Sequence, residues 1–385
     1  MRILAAENQW KLALSVAEKT ISLLKRGNKN ISLLCEVYNS ALDISSIHGD
    51  THTYEQLEKC VVSVLMQLYS INNPIEFFAM AKLMSTLFVI KTKTDNITNA
   101  IRIGYRLYHL NYGLHAEIFQ METVPILADL LVSAKRIEDA AYAVGVTRKM
   151  MKNTLYGGES LYFIFCCDLL LDTSFYLEKI DAIEKFAEKM YLECDNSMRT
   201  NATTKKYLII CLLTYFSRLC NWNKVEKWKC YCDVPSIFKN DYNQIKFKLR
   251  FLELNLLQVA RSLSAKNTKT VIIEAEFKVI KKLVNECLVL SKNWSLFLPK
   301  CYLYVAYHYK LKTHTKHKKY IKLGLKEAEI NRNLSTKCWI NLNDNYWSIG
   351  HNNFLISDFP FVLWKKAREY TIDQWTQIMF PLPLP

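Results

Sequence analysis

Two carboxylates are the first candidates for chemistry in this 385-residue chain. Asp168 and Asp172 stand four apart in the apolar run LYFIFCCDLLLD (161–172), a spacing that puts both on one face of a helix. A buried acid pair can hold a metal ion or carry acid–base catalysis. The same pair can instead face a groove or meet a lysine from a neighbouring helix. The second candidate is the basic run YHYKLKTHTKHKKYIKLGLK, whose charged part, 308–326, holds seven lysines and three histidines. Tyr307, Tyr309 and Tyr320 interleave with the bases, a mixture able to grip phosphates while stacking on nucleobases. Its candidate contacts are Lys310, Lys312, Lys316, Lys318, Lys319 and Lys322. A solvated hairpin turn predicts the same clustering. His308, His314 and His317 add groups able to titrate near neutral pH, the last two in an exposed loop.

Other reaction classes lack their motifs. There is no G-x-x-x-x-G-K-[ST] phosphate loop, no H-E-x-x-H and no G-x-S-x-G. Gly157–Gly158–Glu159–Ser160 resembles a phosphate-holding turn at a helix start, and also a start that needs a flexible backbone. The twelve cysteines include no C-x-x-C pair. Cys35, Cys211 and Cys287 fall in apolar helical patterns, where free cysteine packs as a small hydrophobe, so a reducing, cytoplasmic setting is expected. No catalytic residue, metal or cofactor is assigned. The net charge of +15 suggests an acidic partner, nucleic acid or an anionic surface. A composition rich in Lys, Asn, Ile and Tyr gives the same charge with no partner implied.

The elements that would position these residues are helical. Nine Gly and eight Pro are few for this length, which favours long helices with short connections over a β fold. The organising stretch is PILADLLVSAKRIEDAAYAVGVTRKMM (125–151), read as two amphipathic helices joined at Lys135–Arg136. Leu127, Leu130, Leu131 and Ala134 share one face, and Ile137, Ala140, Ala141 and Val144 share another. Pro125 fits a first helical turn. The run 161–172 is apolar on every side and is expected to be a central, buried helix.

Further helical patterns cover 9–25, 31–45, 54–69, 74–90, 97–110, 177–192, 205–219, 224–232, 242–262, 270–292, 297–312 and 317–330. Thr51 and Thr53 are capping candidates after the break at 48–53. Major breaks near 50, 93, 135, 175, 221, 266 and 313 recur at intervals of roughly 40–47 residues. That period predicts an all-α fold, an α-solenoid of irregular tetratricopeptide-like helical hairpins over residues 1–340. Residues 341–385 form an aromatic tail with a helix expected over 361–378. Trp364 and Trp375 would either cap the last hairpin or dock a partner. The longest apolar run, Tyr207–Phe216, falls far short of the ~20 residues a membrane span requires, and the N-terminus lacks the apolar core of a secretory leader.

Within residues 125–186, the succession PILADLLVSAKRIEDAA, ESLYFIFCCDLLLDTSF and IDAIEKFAEKM resembles the long C-terminal helical region of soluble, bicarbonate-responsive adenylyl cyclases. Cys167–Asp168–Leu169–Leu170–Leu171–Asp172 followed by Phe175 carries most of the likeness, which spans about a third of the chain at most. The resemblance implies a repeat region associated with cyclic-AMP synthesis. The paired α/β cyclase domains of that family, with their metal-binding aspartates, have no counterpart here, so no position inherits a catalytic or bicarbonate-binding role. The expected function is a non-catalytic scaffold for protein partners. The alternative is binding of nucleic acid or an anionic surface through 308–326.

Overall fold

The computed structural model describes residues 4–5, 7–27, 30–66, 73–93, 97–114, 117–151, 158–173, 176–192, 202–231, 241–265, 270–349 and 381–384. The described residues contain helices and no strand. In chain order the helices are α1 (Trp10–Arg26), α2 (Ile31–His48), α3 (Thr51–Leu65), α4 (Pro74–Lys93), α5 (Ile97–Leu114), α6 (Glu117–Ser133), α7 (Ile137–Met151) and α8 (Gly158–Thr173). They continue with α9 (Ile180–Leu192), α10 (Ala202–Arg218), α11 (Trp222–Lys229), α12 (Asp241–Ser264), α13 (Thr270–Ser291), α14 (Leu298–Leu311), α15 (His317–Ile330) and α16 (Leu334–Ile349). A short 3-10 turn, Ser295–Phe297, leads into α14.

The chain divides into two compact units, Met1–Thr123 and Val124–Pro385. In the first, α2 is central and packs against α1, α3 and α4. Its residues Leu34, Cys35, Val37, Tyr38, Ala41, Leu42 and Ile44 are all buried, as befits a helix apolar on nearly every side. Asp50, and neither of the threonines expected in that role, caps α3: its carboxylate accepts from the Thr53 backbone N–H at 3.1 Å. Thr51 is already helical, so the capping residue is the one just before it.

In the second unit the even-numbered helices form a row. α8 packs on α10, α10 on α12, α12 on α14, and α14 on α16, while α7, α9, α11, α13 and α15 each flank a member of that row. Residues 162–167 and 169–171 of α8 are buried on all sides, and so are residues 207–217 of α10. Each fully buried Leu or Ile there contributes roughly 1.5–3 kcal/mol. α15 approaches its neighbours closely through Gly324: a Cβ there would stand 3.0 Å from Ile340 and 3.4 Å from the Pro299 carbonyl.

Four turns of this unit close in the same way. Lys135, Cys220, Thr313 and Arg332 adopt φ of 61°, 54°, 54° and 51°. In each case the following backbone N–H (Arg136, Asn221, His314, Asn333) donates five residues back, to Leu131, Phe216, Tyr309 and Ala328, at 2.8–2.9 Å. This is the Schellman closure, here with side-chain-bearing residues where glycine is usual.

A further expectation changes. Pro125 lies inside α6 and not in its first turn; the buried Val124, Ile126, Leu127, Leu130 and Leu131 carry the helix through a residue with no N–H to donate. Residue 340, where the repeat region is expected to end, lies within α16, and Ile340, Asn343, Tyr346 and Trp347 are buried positions of that helix. Asn333 is buried and caps α16, its side-chain oxygen accepting from the Thr336 N–H at 3.1 Å. Trp364, Trp375, Gly157 and the helix expected over 361–378 lie outside the described residues.

Candidate functional site

The row α8–α10–α12–α14 carries a buried ladder of charges. On α8, Asp168 and Asp172 face α12, where Lys246 and Arg250 repeat the same i,i+4 spacing. Asp168 accepts from Arg250 Nε at 3.0 Å, Lys246 Nζ at 2.9 Å and the Tyr207 hydroxyl at 3.0 Å. Asp172 meets Arg250 Nη2 at 2.7 Å and Lys300 Nζ of α14 at 2.5 Å. One turn along α12, Glu253 is wholly buried and pairs with Arg218 of α10, whose Nε donates at 2.6 Å. The Tyr304 hydroxyl donates to the other Glu253 oxygen at 2.6 Å. Arg218 Nη1 also reaches the Leu171 carbonyl at 2.6 Å, tying α10 to the end of α8. From α6, Asp129 shares Lys246 with Asp168 and accepts from the Tyr242 hydroxyl.

Four carboxylates thus face four cations: Asp129, Asp168, Asp172 and Glu253 against Arg218, Lys246, Arg250 and Lys300. Buried charges are tolerable only when paired and hydrogen-bonded, and the ladder meets that condition. Burial works against the charged form of the four carboxylates and of Lys246, Arg250 and Lys300. The cations Lys246 and Arg250 overcome it at Asp168, and Arg250 and Lys300 overcome it at Asp172, so both carboxyls are held below the usual carboxylate range. Arg218 and Arg250 do the same for Glu253. Two members lean towards neutrality. Burial pushes the Asp129 carboxyl up, assisted by the nearby Asp168 charge, and burial together with the Arg250 charge pushes Lys300 down.

Those two residues border a small open cleft of about 50 Å³, together with Asp172, Asn333, Thr336 and Trp339. Trp339 also lies with its ring 5.9 Å from Lys300 Nζ and 5.8 Å from the Arg218 guanidinium, so it roofs the cations while forming one wall of the cleft. Both Asp168 oxygens are occupied by donors from neighbouring helices. Of the readings open to the acid pair in the sequence, the meeting with basic residues of neighbouring helices is the one observed. Among the described residues, no three His, Cys, Asp or Glu side chains gather as a metal site.

The six predicted lysines are not equivalent. Lys310 is half-buried and donates to the Trp347 carbonyl at 2.9 Å. Lys312 packs its ammonium 4.6 Å from the Phe277 ring centroid. Lys316, Lys318, Lys319 and Lys322 are exposed on the turn and on α15. The interleaved tyrosines do not stand open for stacking: Tyr307 is fully buried, and the Tyr309 and Tyr320 rings stack on each other at 5.2 Å. His308 is buried against Phe277, whereas His314 is exposed.

Sequence reasoning missed Asp129, Arg218, Lys246, Arg250, Glu253 and Lys300. A signal existed, since Lys246, Arg250 and Glu253 interrupt the apolar face of IKFKLRFLELNLL at helical spacing. What periodicity cannot supply is the partner across the helix interface. Comparison with protein-family models, curated proteins and solved structures returns no match.

Proposed function

We propose that this chain is a non-catalytic helical-repeat scaffold, an α-solenoid of irregular tetratricopeptide-like hairpins that binds protein partners in the cytoplasm. The observation that carries the reading is the charge ladder. It spends its carboxylates and cations on one another and so stiffens successive inner helices. A small cleft of mixed polar and apolar lining stays open at its rim, walled by Trp339, Thr336, Asp172 and Lys300. A rigid inner row with a mixed polar and aromatic wall suits recognition of a peptide or domain. The likeness of residues 125–186 to soluble adenylyl cyclases supports a partner connected with cyclic-AMP synthesis. The exposed Lys316, Lys318, Lys319 and Lys322 favour a second reading, contact with nucleic acid or another anionic surface.

Affinity capture from lysate at low and moderate salt separates the two. The scaffold reading predicts a discrete protein that survives moderate salt and is lost on Thr336→Arg, which fills the cleft mouth. Retention of RNA or DNA alone, falling steeply as salt rises, assigns the function to the basic hairpin and overturns the scaffold.

A further inference from the structure

The segment Pro381–Leu384 lies against α14 and α16, and its seating is specific. Leu382 is buried. Its backbone N–H donates to Asn343 Oδ1 at 2.7 Å, and its carbonyl accepts from Trp347 Nε1 at 3.2 Å. The Tyr307 hydroxyl donates to the Pro383 carbonyl. The Tyr307 and Trp347 rings stack at 5.5 Å and 13°, forming one aromatic wall. Asn343 is itself fully buried and oriented by its Nδ2, which donates to the Trp339 carbonyl at 2.8 Å.

The chemistry of the bound segment matches these contacts. Pro381 and Pro383 have no N–H, so the backbone donors of 381–384 are those of Leu382, met by Asn343, and Leu384, met by the Tyr346 hydroxyl. Proline on each side also fixes the extended conformation in advance, which lowers the ordering cost of binding. Reading one residue through both its N–H and its carbonyl, with a leucine anchor between prolines, is a recognition scheme that any chain of that sequence can satisfy.

We propose that the α14–α16 groove is a binding site for extended Pro-Leu-Pro segments of a partner protein, which residues 381–384 occupy in cis. This deepens the scaffold reading and rests on it. The free groove would present Asn343, Trp347 and Tyr307 to the partner, so release of the chain's own segment precedes capture.

The test uses the full chain and a labelled peptide with the sequence of residues 380–385. Leu382→Asp, which empties the groove, is expected to bind the peptide at least about tenfold more tightly than the unaltered chain. Adding Trp347→Phe, which removes one hydrogen bond, should weaken that binding about five- to tenfold; adding Asn343→Ala should abolish it. Leu382→Ala replaces the Asp variant if the latter does not fold. Equal binding by the unaltered and Leu382 variants, or binding indifferent to Asn343 and Trp347, overturns the proposal. So does an unaltered chain that sediments as a dimer and becomes monomeric with Leu382→Asp, since that assigns the groove to a second copy. Loss of peptide binding with lysate capture intact would reject the groove and leave the scaffold standing; the reverse would reject the scaffold alone.

Discussion

Asp129 and Asp168 share the ammonium of Lys246, yet the two carboxylates are not equally indispensable. Asp168 also anchors Arg250 and accepts from Tyr207, so its neutralisation strands a buried guanidinium. Asp168→Asn is expected to destabilise by about 3–5 kcal/mol, the cost of breaking a buried pair from one side. Asp129 is already pushed towards its neutral form, and an asparagine oxygen still accepts from Tyr242. Asp129→Asn should therefore cost about 1 kcal/mol or less. Denaturant unfolding of the two variants checks the order, and equal losses would mean that the fold depends on the Asp129 charge as much as on that of Asp168. The same contacts show the acid pair on α8, a candidate for chemistry in the sequence, paired with cations of neighbouring helices.

At the scale of elements, the turns carry removable strain. Thr313 is β-branched, exposed and held at φ 54°, a region that costs an L-residue about 1–2 kcal/mol. Glycine relieves that cost and loses some of the gain to its greater unfolded-state entropy. Thr313→Gly is expected to stabilise by about 0.5–1 kcal/mol, a rise of ~2 °C in Tm. Gly324 is the opposite case. Its helical backbone tolerates any residue, but α15 lies so close to Ile340 and Pro299 that Gly324→Leu overpacks the interface, at about 1–3 kcal/mol. Calorimetry on both variants should give Tm shifts of opposite sign. A drop for Thr313→Gly would mean that the Schellman closure tolerates its threonine without strain.

For the molecule as a whole, acid stability follows from groups whose protonation folding opposes. His308 is buried between Phe277 and Tyr309, near the charge of Lys312, and its imidazole is lowered from 6.5 to about 4. Above pH 6.5 both folded and unfolded chains carry it neutral. Between pH 6.5 and 4 the unfolded state takes up the proton and the folded state does not. Stability therefore falls across that window, by about 3 kcal/mol at most. The depressed Asp168, Asp172 and Glu253 add their loss only below the ordinary carboxylate range, while Asp129, pushed up, works in the opposite sense. His308→Phe should flatten the difference in Tm between pH 7 and pH 5 relative to the unaltered chain. An unchanged slope would place the acid sensitivity elsewhere.

The all-α class was legible in the sequence because a 3.6-residue apolar period is a local property, and so was the buried centre at 161–172, where no face is polar. The hairpin turns at 135, 221 and 313 were legible too, since short polar interruptions end helical patterns wherever they fall. Three features were decided by tertiary structure. A helix face that alternates charge with leucine, as around Lys246, Arg250 and Glu253, reads as solvent-exposed until other helices bring Asp168, Asp172 and Arg218 against it. Tyr307 looked available for stacking until Trp347 and Pro383 covered it. The continuation of helix through Pro125 and past residue 340 likewise depended on burial that only neighbouring helices provide. Local periodicity determines which residues share a face; the identity of what that face meets is a long-range fact, fixed by chain segments up to a hundred or more residues apart, as Lys246 and Asp129 are.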